Sequence, residues 1–305
     1  MTVDAASAAD DQRVFTLGHS PDPDDAFMFY AMAEEKIDLR GYRFEHILQD
    51  IQTLNEWATR GELDVTAVSI HAYSQLLDKY ALLPSGASMG DGYGPLLVAT
   101  STAGLPNDPG YDQIRDWLAD QRIAIPGRMT SAALALRLFG GEAVADTLVV
   151  PFDRIFDAVR SGEANVGVCI HEGQLTYREE GMIGVLDLGI WWGELTDGLP
   201  LPLGGNVISK SIEPAVRSEI AAILRSSIAY GLAHRREGVQ HSMPLGRGLD
   251  ERRTDQFINM YVNDLTLDYG ERGRRAVSEF LGRASDAGLI PAPVELEFVE
   301  YPESD

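Results

Sequence analysis

The chain has 305 residues, 45% of them hydrophobic, and carries 47 acidic against 25 basic side chains for a formal net charge of −22. That size calls for one large or two medium cores, the apolar fraction is that of a globular chain, and no apolar run reaches the roughly 18 residues of a membrane span. Nucleic-acid binding rests on clustered Lys and Arg, so the acidic balance excludes it, and a single cysteine, Cys169, excludes an internal disulfide.

The opening MTVDAASAADDQ lacks the basic and apolar segments of a signal peptide, which predicts a cytoplasmic protein without a membrane partner. An apolar strand is expected over residues 14–17, ended by Gly18. Pro21 and Pro23 then delay any helix until Asp22 to Asp25, acids that suit a helix start. A strand over 44–48 follows, then an amphipathic helix over 51–60 closed by Gly61. A strand over 65–69, a helix over 73–78 and a strand over 93–99 complete a first unit. The same grammar recurs: a strand over 123–125, a Pro126-Gly127 loop, a helix beginning near Thr130 and Ser131, a strand over 148–150, a helix over 152–160 and a strand over 166–170.

Two similar stretches close these units, GELDVTAVSIHAYSQL at 61–76 and GEANVGVCIHEGQLTY at 162–177. Their matching positions predict a duplicated α/β architecture with largely parallel sheets. The run GLPLPLGGNVIS reads as a crossover back to the first unit, which helices from 213 onward, over 255–262 and over 271–284, would complete. Two lobes joined by two crossings enclose a cleft, and ligands in such folds gather at the carboxyl ends of strands.

Several side chains fall at those ends. His171 leaves an apolar strand on a rigid element and suits proton transfer near neutral pH; a structural hydrogen bond is the alternative. Glu172 either orients it or is solvated, and solvation is favoured. Thr130 and Ser131 stand where free helix amides and the helix dipole attract a carboxylate, though both residues are also ordinary caps. Ser69 ends the matching strand of the other unit; no G-x-S-x-G elbow surrounds it, so substrate binding fits better than nucleophilic attack. His71 reads as a helix-start or surface residue. Asp22, Asp24 and Asp25 suit the helix start better than a metal, since their spacing is not that of a calcium loop. His19 and Ser20 before them, Arg128, and Trp191 or Trp192 are further candidates for the cleft wall.

In order and character, GHSPDPDDAFMFY, DIQTLNEWATRGELDVTAVSIHAY, PGRMTSAALALRL, CIHEGQLTY, LDLGIWWGELTDGLPLPLGG and YVNDLTLDYGERGRRAV resemble the 1,4-dihydroxy-6-naphthoate synthase family. This is the cyclic dehypoxanthinylfutalosine lyase of the futalosine route to menaquinone, and the likeness runs from 14 to 296. It implies a two-lobed α/β fold of the periplasmic-binding-protein type (type 2), each lobe a mixed sheet flanked by helices. Lobe 1 would comprise 13–99 and 206–305, and lobe 2 would comprise 100–205. It further implies a small-molecule carboxylate substrate in the cleft and no metal or organic cofactor. His171 matches the family's base, Ala67, Val68 and Ser69 its substrate-binding strand end, and Thr130 with Ser131 its Thr-Thr pair. His19, Ser20, Arg128, Glu172 and Trp192 are carried as further cleft residues. One departure bears on the substrate: Asp22, Asp24 and Ala26 stand where the family has Cys, Asn and Thr. A carboxylate-binding protein of the same fold and the related chorismate dehydratase are the competing readings; GLPLPLGG and the Ile-His-Glu strand end favour the lyase.

Overall fold

Eleven strands fall into two sheets in this computed structural model, which describes residues 13–291 and 294–302. The acidic opening stretch, on which the expectation of no signal peptide rests, lies outside them. The strands are β1 (Val14–His19), β2 (Arg43–Leu48), β3 (Val65–Ser69), β4 (Tyr80–Leu82), β5 (Ser88–Gly90), β6 (Leu96–Ala99), β7 (Ile123–Ile125), β8 (Thr147–Val149), β9 (Val166–Cys169), β10 (Ile183–Asp187) and β11 (Leu201–Ser209). The first sheet runs β2-β1-β3-β11-β4, with β5 also on β11; the second runs β10-β6-β9-β7-β8. Written from the other end, the second sheet repeats the first. β2, β1 and β3 are parallel, as are β8, β7 and β9; then β11 and β6 each lie antiparallel to the strand before them. The two similar sequence stretches therefore supply the equivalent central strands β3 and β9, both fully buried as continuous apolar strands demand.

The antiparallel member of each sheet comes from the other half of the chain, so the sheets are mixed rather than largely parallel. It also moves the lobe boundaries. β6 bonds to β9 and β10, so residues 96–99 belong to the second lobe although they follow the first unit in sequence. β11 begins at Leu201 in the first sheet, ahead of the expected boundary at 205. Its Pro202, Gly204 and Gly205 read as turn signals, yet the strand accommodates them with a shift of register between Pro202 and Gly204 against β5.

Helices cover both sheets: α1 (Pro23–Ala33), α2 (Ile51–Arg60), α3 (Ile70–Tyr73), α4 (Tyr111–Leu118), α5 (Ser131–Gly140), α6 (Ile155–Ser161) and α7 (Gly173–Thr176) come before the return crossing. After them come α8 (Leu188–Leu195), α9 (Pro214–Ala233), α10 (Arg235–Ser242), α11 (Glu251–Tyr261), α12 (Asp264–Leu267) and α13 (Gly270–Asp286). α2 starts where the Asp50 carboxylate accepts the Gln52 and Thr53 amides and ends at Gly61, whose φ of 71° suits a residue without Cβ. The helix expected over 73–78 is instead a single turn directly after β3, and the one expected over 152–160 begins with a 3-10 turn, Phe152–Arg154. One core joins Phe15, Leu17 and Phe27 to Ile223, Leu224 and Ile258. A larger one runs from Val68 and Tyr73 through Leu134 and Val168 to Trp192 and Phe280, tying the two lobes together. No helix among the described residues is long and apolar enough to cross a membrane.

Candidate active site

The cleft between the sheets closes over a cavity of about 110 Å³, several times the space one water needs. From the first lobe its wall takes Ser20, Asp22, Asp24 and Asp25 after β1, then Ala67, Val68 and Ser69 on β3, with Asn206 from β11. From the second lobe come Thr130, Ser131 and Ala132 at the start of α5, Ile170 and His171 after β9, and Gln174 on α7. The expected base, strand end and helix start therefore meet at one place.

Local geometry fixes what each can offer. The Ser69 amide donates to Asn55 Oδ1 (2.8 Å) and its hydroxyl accepts from Asn55 Nδ2 (3.0 Å), so a fully buried asparagine on α2 sets this strand end. Thr130 caps α5: its hydroxyl accepts the Ala133 amide (3.2 Å) and donates to the Gly127 carbonyl (2.8 Å). The Ser131 hydroxyl donates to the Leu203 carbonyl (2.5 Å) and accepts the His71 amide (3.2 Å), so both partners lie in the other lobe. These hydroxyls are spent on structure. What α5 presents to a ligand is its first amides, those of Ser131 and Ala132, which have no partner within the helix and sit at its positive end.

His171 adopts φ = +56° in the turn after β9, a left-handed conformation uncommon for a residue with a side chain. Its ring packs edge-on against Phe152 (centroids 4.7 Å apart), and Nδ1 lies 3.4 Å from Asp22 Oδ2 across the cleft. Arg247, also in the left-handed region (φ = 44°), reaches both carboxylates beside it. Its Nη1 is 3.1 and 3.0 Å from the two Glu172 oxygens and 2.6 Å from Asp22 Oδ1, the last an ion contact outside hydrogen-bonding angles. Glu172 is thus neither free in solvent nor the partner of His171; it pairs with an arginine of the other lobe. Gln174 makes a further crossing, its Nε2 donating to the Tyr261 hydroxyl (2.9 Å).

The acids of the loop after β1 differ in company. Asp25 accepts the Ser20 amide (2.7 Å), and burial with the neighbouring Asp22 pushes its carboxyl up to about 7. Asp24, buried beside Asp25, is held well above the usual carboxylate range, and its Oδ1 has no partner. Asn206 donates from Nδ2 to the Gly86 carbonyl (3.0 Å), which leaves its buried Oδ1 without a donor. The Asn206 oxygen suits a ligand that brings a hydroxyl or N–H group, and the Asp24 carboxyl, which burial helps to keep protonated, can donate as well as accept. Among the described residues no His, Cys, Asp and Glu side chains are grouped to hold a metal ion.

Four expected cleft residues are not in the cavity wall, Glu172, tied to Arg247, being the first. His19 is buried behind the wall, with Nδ1 on the Ser20 carbonyl and Nε2 on His46 (both 3.1 Å); burial and then His46 press its basicity down to about 3. Arg128 is exposed in the turn before α5. Trp192 is fully buried, donates to the Pro200 carbonyl (3.0 Å) and packs edge-on against Phe280, and Trp191 is buried against Phe139; the pair is core, not cleft wall. His71 does stand at a helix start, but it is buried, its Nδ1 3.2 Å from the Thr130 carbonyl. Asn55, Asn206 and Arg247 were missed. An asparagine between Leu54 and Ala58 on an apolar helix face, and another inside a strand, are signals of a buried polar task; Arg247, between two glycines in a loop, carries none.

A family model described as menaquinone biosynthesis matches residues 15–286. The chain is 37% identical over 278 residues to the 1,4-dihydroxy-6-naphthoate synthase of Thermus thermophilus, covering 91% of this chain and 96% of the relative. It is 33% identical over 280 residues to the Streptomyces coelicolor protein of the same name, covering 90% and 94%. Among solved structures, protein AF1704 from Archaeoglobus fulgidus is 43% identical with a TM-score of 0.81, covering 91% of this chain and 98% of that one. The alkanesulfonate-binding protein SsuA from Xanthomonas axonopodis pv. citri, 13% identical with a TM-score of 0.67 over 93% and 96% of the chains, shares the fold alone. A two-lobed fold shared with a periplasmic binding protein, a match spanning nearly every described element and two relatives of one name lead to one assignment: the chain belongs to the menaquinone-biosynthesis family.

Proposed function

We propose that the protein is a cytoplasmic lyase that converts cyclic dehypoxanthinylfutalosine to 1,4-dihydroxy-6-naphthoate, with His171 as its base. The names of the relatives support the reaction. The observation that carries the role of His171 is its place in the cavity wall, with Nδ1 in ion contact with Asp22 at 3.4 Å and neither ring nitrogen engaged in a hydrogen bond among the described residues. The substrate carboxylate takes the Ser131 and Ala132 amides at the positive end of α5. Polar groups of the substrate meet the Ser69 strand end, the unpaired Asn206 oxygen and the Asp24 carboxyl. His171 then removes a proton, the two bonds that tie the spiro carbon to the sugar-derived ring break in turn, that ring leaves as a separate carbonyl fragment carrying the proton His171 gives back, and the electrons left behind aromatise the naphthoate. Aromatisation supplies driving force, so one placed base in a site shielded from water suffices.

The test is direct: incubate the protein and its His171→Ala variant with cyclic dehypoxanthinylfutalosine and follow the naphthoate by absorbance and mass. Product from the parent and a loss of about 100-fold or more in the variant is the expected result. Equal rates would remove His171 from its role, and tight binding of the substrate without turnover by the parent would make this a carboxylate-binding protein.

A further inference from the structure

We propose that Asp22, on the first lobe, is the positioning residue of His171 on the second, so that base and orienting carboxylate come from opposite sides of the cleft. The proposal rests on the reading of His171 as the base. Asp22 is the residue before α1, with Pro23 opening the helix, yet its carboxylate makes no cap bond and is left to face across the cleft. There, 3% exposed, it places Oδ2 3.4 Å from His171 Nδ1 and Oδ1 2.6 Å from Arg247 Nη1. Arg247 in turn holds Glu172, the residue next to the base, and lies over the Phe152 ring at 4.7 Å, while His171 meets the same ring edge-on. Asp22, Arg247, Glu172 and His171 thus form one network around a single phenyl ring, two members from each lobe. Both residues that need it for orientation, His171 and Arg247, sit in left-handed backbone, a cost that persists only where surrounding contacts hold it.

The arrangement has a chemical consequence. A carboxylate facing Nδ1 at 3.4 Å, in ion contact rather than an aligned hydrogen bond, favours the tautomer with its proton on Nδ1, which leaves the Nε2 lone pair as the base. Separation of the lobes removes the carboxylate, so the base is fully set only in the closed molecule.

Asp22→Asn tests this without removing a helix cap. With cyclic dehypoxanthinylfutalosine as substrate, kcat should fall at least about tenfold while KM stays within about twofold. In parallel, nitrogen–proton correlation spectra of the His171 imidazole in the ligand-free protein should show the proton on Nδ1 in the parent and on Nε2 in the variant. Arg247→Gln, which leaves Asp22 in place, should lower kcat less. An unchanged kcat with an unchanged tautomer overturns the proposal, and so does a loss confined to KM, which would make Asp22 a substrate contact. If the parent forms no naphthoate, the lyase reading fails, and the tautomer comparison still decides the Asp22–His171 pairing.

Discussion

Asp25 is a carboxyl in the cleft wall whose strongest partner is one backbone amide, that of Ser20. Burial, followed by the charge of Asp22, raises it from 3.8 to about 7. Between those values the folded protein holds a proton that the unfolded chain has released, so stability falls as pH rises through that window and the penalty is complete above it. Asp25→Asn keeps an acceptor for Ser20 and lacks the charge. Its thermal midpoint should exceed the parent's at pH 8 by at least about 2 °C, and the gap should close toward pH 4; a gap independent of pH would show an ordinary ionised carboxylate. The same scale shows why the two Ile-His pairs were only half legible. His71 and His171 follow equivalent strands at matching motif positions. After β3 the backbone enters a helical turn and draws His71 inward onto the Thr130 carbonyl; after β9 a left-handed residue throws His171 into the cavity. That difference of one dihedral is not written in residue types. The placement of His171, Ser69 and the Thr130-Ser131 pair was legible, because strand ends and helix starts are marked by composition. Asp22, Arg247 and Gln174 act across a gap between lobes, and no local pattern announces such a pairing.

At the scale of elements, the start of α5 carries two tasks that compete for the same atoms. Thr130 closes the turn by bonding the Ala133 amide and the Gly127 carbonyl, while Ser131 hooks the helix to Leu203 and His71 of the other lobe. Only the amides remain for the proposed substrate carboxylate, so Thr130→Ala should act through the shape of the turn. We expect a loss of about 1 kcal/mol in unfolding free energy by urea titration, together with a rise of a few-fold in KM and little change in kcat; Thr130→Ser should restore both. A lower kcat at unchanged stability would instead make the hydroxyl a direct substrate contact. Elements built from a clear apolar run and clear punctuation, such as α2 between Asp50 and Gly61, could be read from sequence. β11 could not, because Pro202 and the two glycines mimic a turn, and β6 was assigned to the wrong lobe because strand pairing across a crossing overrides sequence order.

The whole molecule must hold a closed cleft while carrying a net charge of −22. Self-repulsion at that charge opposes compaction, and the ties across the cleft are the counterweight: Gln174 to Tyr261, Ser131 to Leu203, and the arginine pairs Arg247–Glu172 and Arg253–Glu179. Arg253 lies on α11 and Glu179 just past α7, so their pair spans the two lobes away from the reacting groups. An exposed pair of this kind adds little to folding, but where two lobes part to admit a ligand it acts on the balance between open and closed forms, which a small free energy shifts. Arg253→Glu replaces attraction with repulsion at Glu179. In about 0.05 M salt it should raise KM roughly two- to fivefold and leave kcat unchanged, since the closed site, once formed, is the same. About 0.5 M salt shortens the screening length to a few ångströms and should erase most of the difference. The swapped pair, Arg253→Glu with Glu179→Arg, should recover the parent KM at low salt. An effect that survives high salt, or a swap that fails to recover, would mean that Arg253 acts through packing on α11 rather than by holding the lobes together.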